Sequence, residues 1–206
     1  MTVVLLDYGA GNVTSVVKAL SAAGASPRVT TVAAELAGAD AIVIPGVGHF
    51  GRTQSIDSTG RAAVQAAIER GVPVLGICLG LHWLFDGSEE ADKAPGLGMF
   101  AGRCFALADR PERAPKVPHV GWNTLDATDR SSALLDGLPA GSMAYFTHSY
   151  AAPVVTDTSA TTTHGSVFTS VVERGRTFGV QFHPEKSGAT GLRVLANFLS
   201  LARESR

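Results

Sequence analysis

A chain of 206 residues with 45% apolar and 17% charged residues carries enough hydrophobic material for a full core, since about 70% of the unfolded surface can be buried at this size, and the balance excludes a disordered chain. Seventeen basic residues against eighteen acidic ones leave a formal charge of −1, which excludes the broad positive field of a non-specific nucleic-acid binder. Two cysteines, Cys78 and Cys104, cannot form a disulfide framework and fit a reducing compartment.

The N-terminal segment lacks a basic region followed by a signal-length apolar stretch, and no run approaches 18 apolar residues, so the expectation is a soluble cytoplasmic protein without membrane contact. Val3 to Leu6 reads as a buried strand. Asn12 to Ala23 places Val13, Val16, Val17 and Leu20 at helical spacing, and Gly24 ends the helix. Arg28 to Val32 is a second strand, Glu35 to Ala37 a short helical piece, Ala41 to Gly46 a third strand and Thr59 to Glu69 a second helix. Val72 to Ile77 is the next strand, meeting a helix near Leu79.

This alternation predicts an α/β chain with a doubly wound, mostly parallel sheet flanked by helices. Beyond Gly98 the segments RCFAL, VPHVGWNTL and MAYFTHSY read as shorter strands, and FTSVVERGRTFGVQF as a hairpin about its Arg-Gly turn. The second half is therefore expected to hold a smaller antiparallel region. The chain closes in a helix from Gly188 to Leu201 with Leu192, Leu195, Ala196 and Leu199 on one side. No linker or composition break divides it, so residues 1–206 are expected to form a single domain.

The sharpest local pattern is GICLG, residues Gly76 to Gly80. A strand that turns at once into a helix would hold Cys78 at the carboxyl end of the sheet, the logic of a nucleophile elbow with Cys in place of Ser. The helix amino terminus would favour the thiolate. Among six histidines (His49, His82, His119, His148, His164, His183), His183 follows a strand and precedes Pro184, with Glu185 two positions on. In an extended segment those two side chains share a side, so the carboxylate can orient the imidazole. This places His183 at a strand end rather than in the core. IPGVGHF, with glycines around Val47, supplies backbone amides suited to an oxyanion. The alternatives at these positions are a buried structural cysteine, a strand-end His with a solvated Glu, and an ordinary strand-to-loop turn.

No CxxC or HExxH occurs and GAGN is not a dinucleotide fingerprint, so no metal, nucleotide or other cofactor is expected.

Taken together, DYGAGN, PGVGHFG, GICLG, KVPHVGWN, YFTHSY and GVQFHPEKSG resemble the glutamine amidotransferase subunits of imidazole glycerol phosphate synthases, a branch of the class I glutamine amidotransferases. The resemblance covers essentially the whole chain. It implies a glutaminase fold with Cys78 as nucleophile, His183 as general acid/base and Glu185 as the residue that orients it. It further implies oxyanion contacts from the amides of Val47 and Leu79, and glutamine-binding positions at Gly48, Ser149 and Tyr150. Asn12, Trp122, Asn123 and Lys186 match positions that face a partner, a (β/α)₈ barrel synthase expected to form a 1:1 heterodimer and to receive ammonia. One departure stands out: the family pattern after the nucleophile has a Gln that binds the substrate, where this chain has His82. Either the imidazole takes over that contact, one helical turn from Cys78, or it only covers the helix surface. The other functional classes are a glutaminase for a different synthase, a stand-alone thiol hydrolase, and a silent interaction module.

Overall fold

The computed structural model describes residues 1–107 and 116–204. Strands β1 (Val3–Leu6), β2 (Arg28–Thr30), β3 (Ala41–Ile44) and β4 (Val74–Ile77) alternate with helices α1 (Val13–Ala22) and α2 (Ser58–Glu69), and β4 runs into α3 (Leu79–Leu84). Ala33–Gly38 and Phe50–Ser55 are 3₁₀ turns. The second half carries β5 (Gly87–Ser88), β6 (Arg103–Ala106), β7 (His119–Thr124), β8 (Asp126–Ala127), β9 (Met143–His148), β10 (Tyr150–Ala151), β11 (Thr158–His164), β12 (Ser166–Arg174), β13 (Thr177–Val180) and the closing helix α4 (Gly188–Arg203).

The main sheet has the order β2-β1-β3-β4-β13-β12-β11-β8. Its first five strands pair in parallel and the remainder antiparallel. β1, β3, β4 and β13 are buried along their whole length, as parallel strands covered on both faces must be. Side-chain alternation divides the core. Val3 and Leu5 pack with Val16 and Leu20 of α1 and with Val194 and Phe198 of α4, whereas Val4 and Leu6 pack with Val64 of α2 and with Leu81 and Trp83 of α3. Each fully buried Leu or Phe in these layers contributes about 1.5–3 kcal/mol. The strand order reverses between β1 and β3, so the carboxyl ends of β1, β3 and β4 open around one crevice.

β12 and β13 form the expected hairpin, with Arg174 opposite Thr177 and Gly175 at φ +58° in the turn. One strand lies where the sequence was given no element, and one helix face is corrected. β11 is paired along β12. Its TSATTTH sequence is poor in large apolar residues, and its β-branched threonines instead bond across to neighbouring segments: Thr162 Oγ1 donates to the Thr124 carbonyl at 2.7 Å and Thr158 Oγ1 pairs with Thr169 Oγ1 at 2.7 Å. On α4 the inward face is Gly191, Val194, Leu195, Phe198, Leu199 and Ala202, with Leu192 exposed, because the helix lies between the sheet and the Pro184 turn, where a Cβ on Gly191 would strike the Pro184 carbonyl. A buried carboxylate secures the second half: Glu173 of β12 accepts hydrogen bonds from the Ser132 hydroxyl and from the amides of Ala133 (2.9 Å) and Leu134 (3.2 Å), which offsets its desolvation.

Candidate active site

Cys78 sits between β4 and α3 at φ +51°, ψ −103°, a region that a non-glycine residue occupies only where surrounding structure imposes it. The neighbouring glycines explain how the turn is tolerated. A Cβ on Gly76 would come within 2.6 Å of the Gly80 carbonyl oxygen, and one on Gly80 would collide with the Ile44 carbonyl. The thiol itself is 6% exposed. It lies on a cavity of about 340 Å³ lined also by Gly48, His82, Glu90, His148, Ser149 and Tyr150.

His183 is fully buried, which corrects its reading as a strand-end residue outside the core. The chain bends inward after β13, and the His183 amide is bonded to the Tyr145 carbonyl at 2.9 Å. Nor does an extended segment bring Glu185 alongside it. Pro184–Lys186 is a 3₁₀ turn, and the turn sets Glu185 Oε1 2.7 Å from His183 Nδ1. Asn12 Nδ2 donates to the same oxygen at 2.5 Å.

Burial alone would lower the His183 pKa, but the neighbouring Cys78 thiolate and then Glu185 outweigh it and push it up to about 10. Burial likewise opposes ionisation of Glu185, yet the bonds from His183 and Asn12 hold its carboxyl below the usual range. His183 Nε2 has no hydrogen bond of normal geometry among the described residues. That nitrogen is buried, and the charge on the Cys78 sulfur is the largest influence raising the ring's pKa.

The two amides matched to the oxyanion role are engaged elsewhere in this conformation. Val47 N–H donates to the Ala10 carbonyl at 2.8 Å, and Leu79 N–H to the Gly46 carbonyl at 3.3 Å. Val47 and Leu79 both line the cavity beside Cys78, but their amides are not turned into it.

Gly48, Ser149 and Tyr150 line the cavity, as does His82. The His82 ring is only 4% exposed, and its Nε2 lies 2.8 Å from Gln181 Oε1. The picture of a side chain covering an exposed helix surface is thereby corrected: α3 is buried throughout. Burial, against the opposing bond to Gln181, lowers the His82 pKa to about 4, so the ring is neutral at neutral pH.

The partner-facing group divides. Trp122 is 52% exposed beside Val120 and Met143, packs edge-on against Tyr145, and shares that tyrosine with the exposed Lys186, whose Nζ lies 5.8 Å from the ring centroid. Asn12 and Asn123, by contrast, spend their amides internally. Asn123 Nδ2 donates to the Thr163 carbonyl at 3.0 Å and lies 3.3 Å from His119 Nε2. From there His119 Nδ1 meets His148 Nε2 at 3.0 Å, and His148 Nδ1 meets the Tyr150 carbonyl at 2.8 Å. Since a carbonyl only accepts and an amide nitrogen only donates, the tautomers of both imidazoles follow, each with its proton on Nδ1. Burial keeps both rings neutral, lowering His119 to about 4 and His148 well below the ordinary value.

Sequence reasoning missed Gln181, Glu90 and His148. Gln181 stands two positions before His183, a spacing that pointed to it, whereas Glu90, which accepts the Phe50 amide at 2.7 Å, carries no local pattern. Among the described residues, no group of three or more His, Cys, Asp or Glu side chains is arranged to hold a metal ion, and no helix is long and apolar enough to cross a membrane.

Residues 4–201 match the family model for class-I glutamine amidotransferases. The chain belongs to that family. It is homologous to the imidazole glycerol phosphate synthase subunit HisH of Deinococcus radiodurans, at 51% identity over 95% of this chain and 92% of the relative. The subunit of the same name from Microcystis aeruginosa is 43% identical, over 96% and 94% of the two chains. Among solved structures, a glutamine amidotransferase crystal structure superposes with TM-score 0.75 at 19% identity over 98% of both chains. PurLQS of Thermotoga maritima does so with TM-score 0.74 at 17% identity over 97% of both. At those identities the two structures speak for the fold, a mostly parallel sheet flanked by helices with a smaller antiparallel region.

Proposed function

We propose that this single-domain chain works in the cytoplasm as the glutaminase subunit of an imidazole glycerol phosphate synthase, with Cys78, His183 and Glu185 as its catalytic triad. The observation that carries the reading is the thiol held at positive φ beside an imidazole that is bonded at 2.7 Å to a buried carboxylate. The Cys78 thiolate attacks the carboxamide carbon of glutamine, forming a C–S bond and a tetrahedral oxyanion. His183, held protonated by its neighbours, gives its proton to the departing nitrogen as the C–N bond breaks. The neutral imidazole then takes a proton from water, the hydroxide attacks the thioester, and glutamate leaves with restoration of the thiolate. Glu185 and Asn12 keep Nδ1–H of the imidazole aligned throughout.

The cavity wall formed by Gly48, Ser149 and Tyr150 positions the glutamine. Oxyanion stabilisation by Val47 and Leu79 requires the Val47 amide to leave the Ala10 carbonyl, and binding of the nucleotide substrate by the partner complex is the event that favours this. The exposed Trp122, with Lys186 nearby, marks the docking face. Ammonia passes through the interface to the (β/α)₈ barrel synthase, which yields imidazole glycerol phosphate and 5-aminoimidazole-4-carboxamide ribonucleotide. The test is glutamate release by the chain alone, with the barrel synthase, and with the synthase plus its nucleotide substrate. Release at the full rate by the isolated chain would contradict the partner-dependent reading.

A further inference from the structure

The family's glutamine-binding Gln is replaced here by His82, and the structure gives the replacement a different partner. His82 lies on the first turn of α3, its amide bonded to the Cys78 carbonyl at 3.0 Å, and its Nε2 faces Gln181 Oε1 at 2.8 Å. The other end of that carboxamide, Gln181 Nε2, donates to Cys78 Sγ at 3.9 Å. Gln181 is fully buried. Its backbone is pinned on both sides, by its own amide bond to Ser170 (3.0 Å) and by the preceding Val180 carbonyl, which accepts from Cys78 N–H at 2.8 Å.

A primary amide fits such a slot in two orientations of nearly equal shape. They have opposite electrostatic consequences. With nitrogen toward sulfur the amide donates to the thiolate; with oxygen toward sulfur its dipole repels it. An imidazole carrying its proton on Nε2 accepts only the first arrangement, because it must donate to Oε1.

We propose that His82 is a positioning residue rather than a glutamine ligand: through its Nε2–H it orients the Gln181 carboxamide so that the Gln181 N–H stabilises the Cys78 thiolate. This rests on the reading of Cys78 as the nucleophile. Other titratable groups around the thiol are His183 with Glu185 behind it, Tyr8 and Cys104, while Glu90 and His148 share the cavity and His148 interacts with His82. None of them bonds to Gln181 among the described residues, so the His82 contribution is separable from theirs.

The experiment compares wild type with His82→Leu, Gln181→Leu and His82→Gln in the complex with the barrel synthase. Two readouts are steady-state glutaminase kinetics and the pH profile of Cys78 alkylation by iodoacetamide, followed by mass at the Cys78 peptide so that Cys104 does not contribute. His82→Leu and Gln181→Leu are expected to move the alkylation midpoint up by about 0.5–1 pH unit and to lower kcat about three- to tenfold, with KM within about twofold. His82→Gln, whose amide can donate to the same oxygen, is expected to restore both readouts. A raised KM in His82→Leu with unchanged kcat and alkylation profile would make the ring a substrate ligand and overturn the proposal, as would three variants indistinguishable from wild type.

Should the leucine variants not fold, nitrogen-15 NMR of the wild-type histidines decides the matter: a proton on Nε2 of His82 supports the proposal, and a proton on Nδ1 overturns it. Alkylation needs no glutamine turnover. An error in the nucleophile assignment would show separately, as glutaminase activity surviving Cys78→Ala.

Discussion

On one side of the cavity, His183 and Glu185 are already joined close to Cys78, with a second bond from Asn12 behind the carboxylate. On the other, the Gly46–Gly48 turn has its Val47 amide bound to the Ala10 carbonyl and its Gly46 carbonyl occupying the Leu79 amide. The triad is fixed by buried side chains whose alternatives would leave charges unpaired, and such arrangements do not relax readily. The glycine-flanked turn is held by ordinary backbone bonds worth about 0.5–1.5 kcal/mol each, which a ligand or partner can exchange for others. If the Val47 and Leu79 amides are the oxyanion donors proposed above, a nucleophile and a protonated acid in place coexist with donors directed elsewhere, and the expected outcome is slow glutamine consumption until the second region changes.

The largest effect should come from breaking the fixed region. Cys78→Ala is expected to abolish glutamine hydrolysis, because no other group can form the acyl intermediate, while leaving the fold, the partner complex and ammonia-dependent synthesis intact. Glutamate release above about one-tenth of the wild-type rate would contradict it. The exchangeable region predicts the next effect: the glutaminase rate should rise at least about tenfold when the complex binds its nucleotide substrate. Equal rates with and without nucleotide would mean that the Val47 turn does not limit the reaction.

Stability should follow the buried imidazoles. His82 and His119, held near 4 by burial against an unfolded value of about 6.5, refuse protons that the unfolded chain accepts, so stability falls as pH drops from about 6.5 toward 4. Glu185 adds to that loss below the ordinary carboxylate range, since its folded pKa is depressed. His183 has the opposite sign. Raised to about 10, its contribution is complete below about pH 6.5 and is lost as pH rises through about 10. Chemical denaturation at about pH 5 should show about 2 kcal/mol less stability than at about pH 7.5, and an unchanged midpoint would argue against neutral buried rings.

The smallest effect sharpens the triad itself. Asn12→Ala removes one of two bonds to Glu185 Oε1 and should lower kcat about two- to tenfold with KM for glutamine unchanged. A change confined to partner affinity would return Asn12 to the docking face.

Much of the fold is legible in the sequence itself. Apolar runs such as VVLL and AIVI, cut by glycines and alternating with stretches of helical spacing, point to a mostly parallel sheet covered on both faces, because such strands need cover on both sides and the crossover helices supply it. GICLG points to the elbow for a steric reason that is partly local, the close approach of Gly76 and Gly80, and the two-residue spacing of His183 and Glu185 keeps them close in the chain, although the turn that joins them was not the extended one expected. Beyond these, the tertiary structure decided. β11 became a strand because β12 offered it partners, not because its threonines are apolar. Asn123 turned inward because Thr163 and His119 lie across from it, 40 and 4 residues away in sequence. His82 found Gln181, 99 residues distant, and the Val47 amide found Ala10. Periodicity and turn chemistry act between neighbours in the chain, whereas the choice of partner for a buried donor or acceptor depends on which distant group the fold places within about 3 Å.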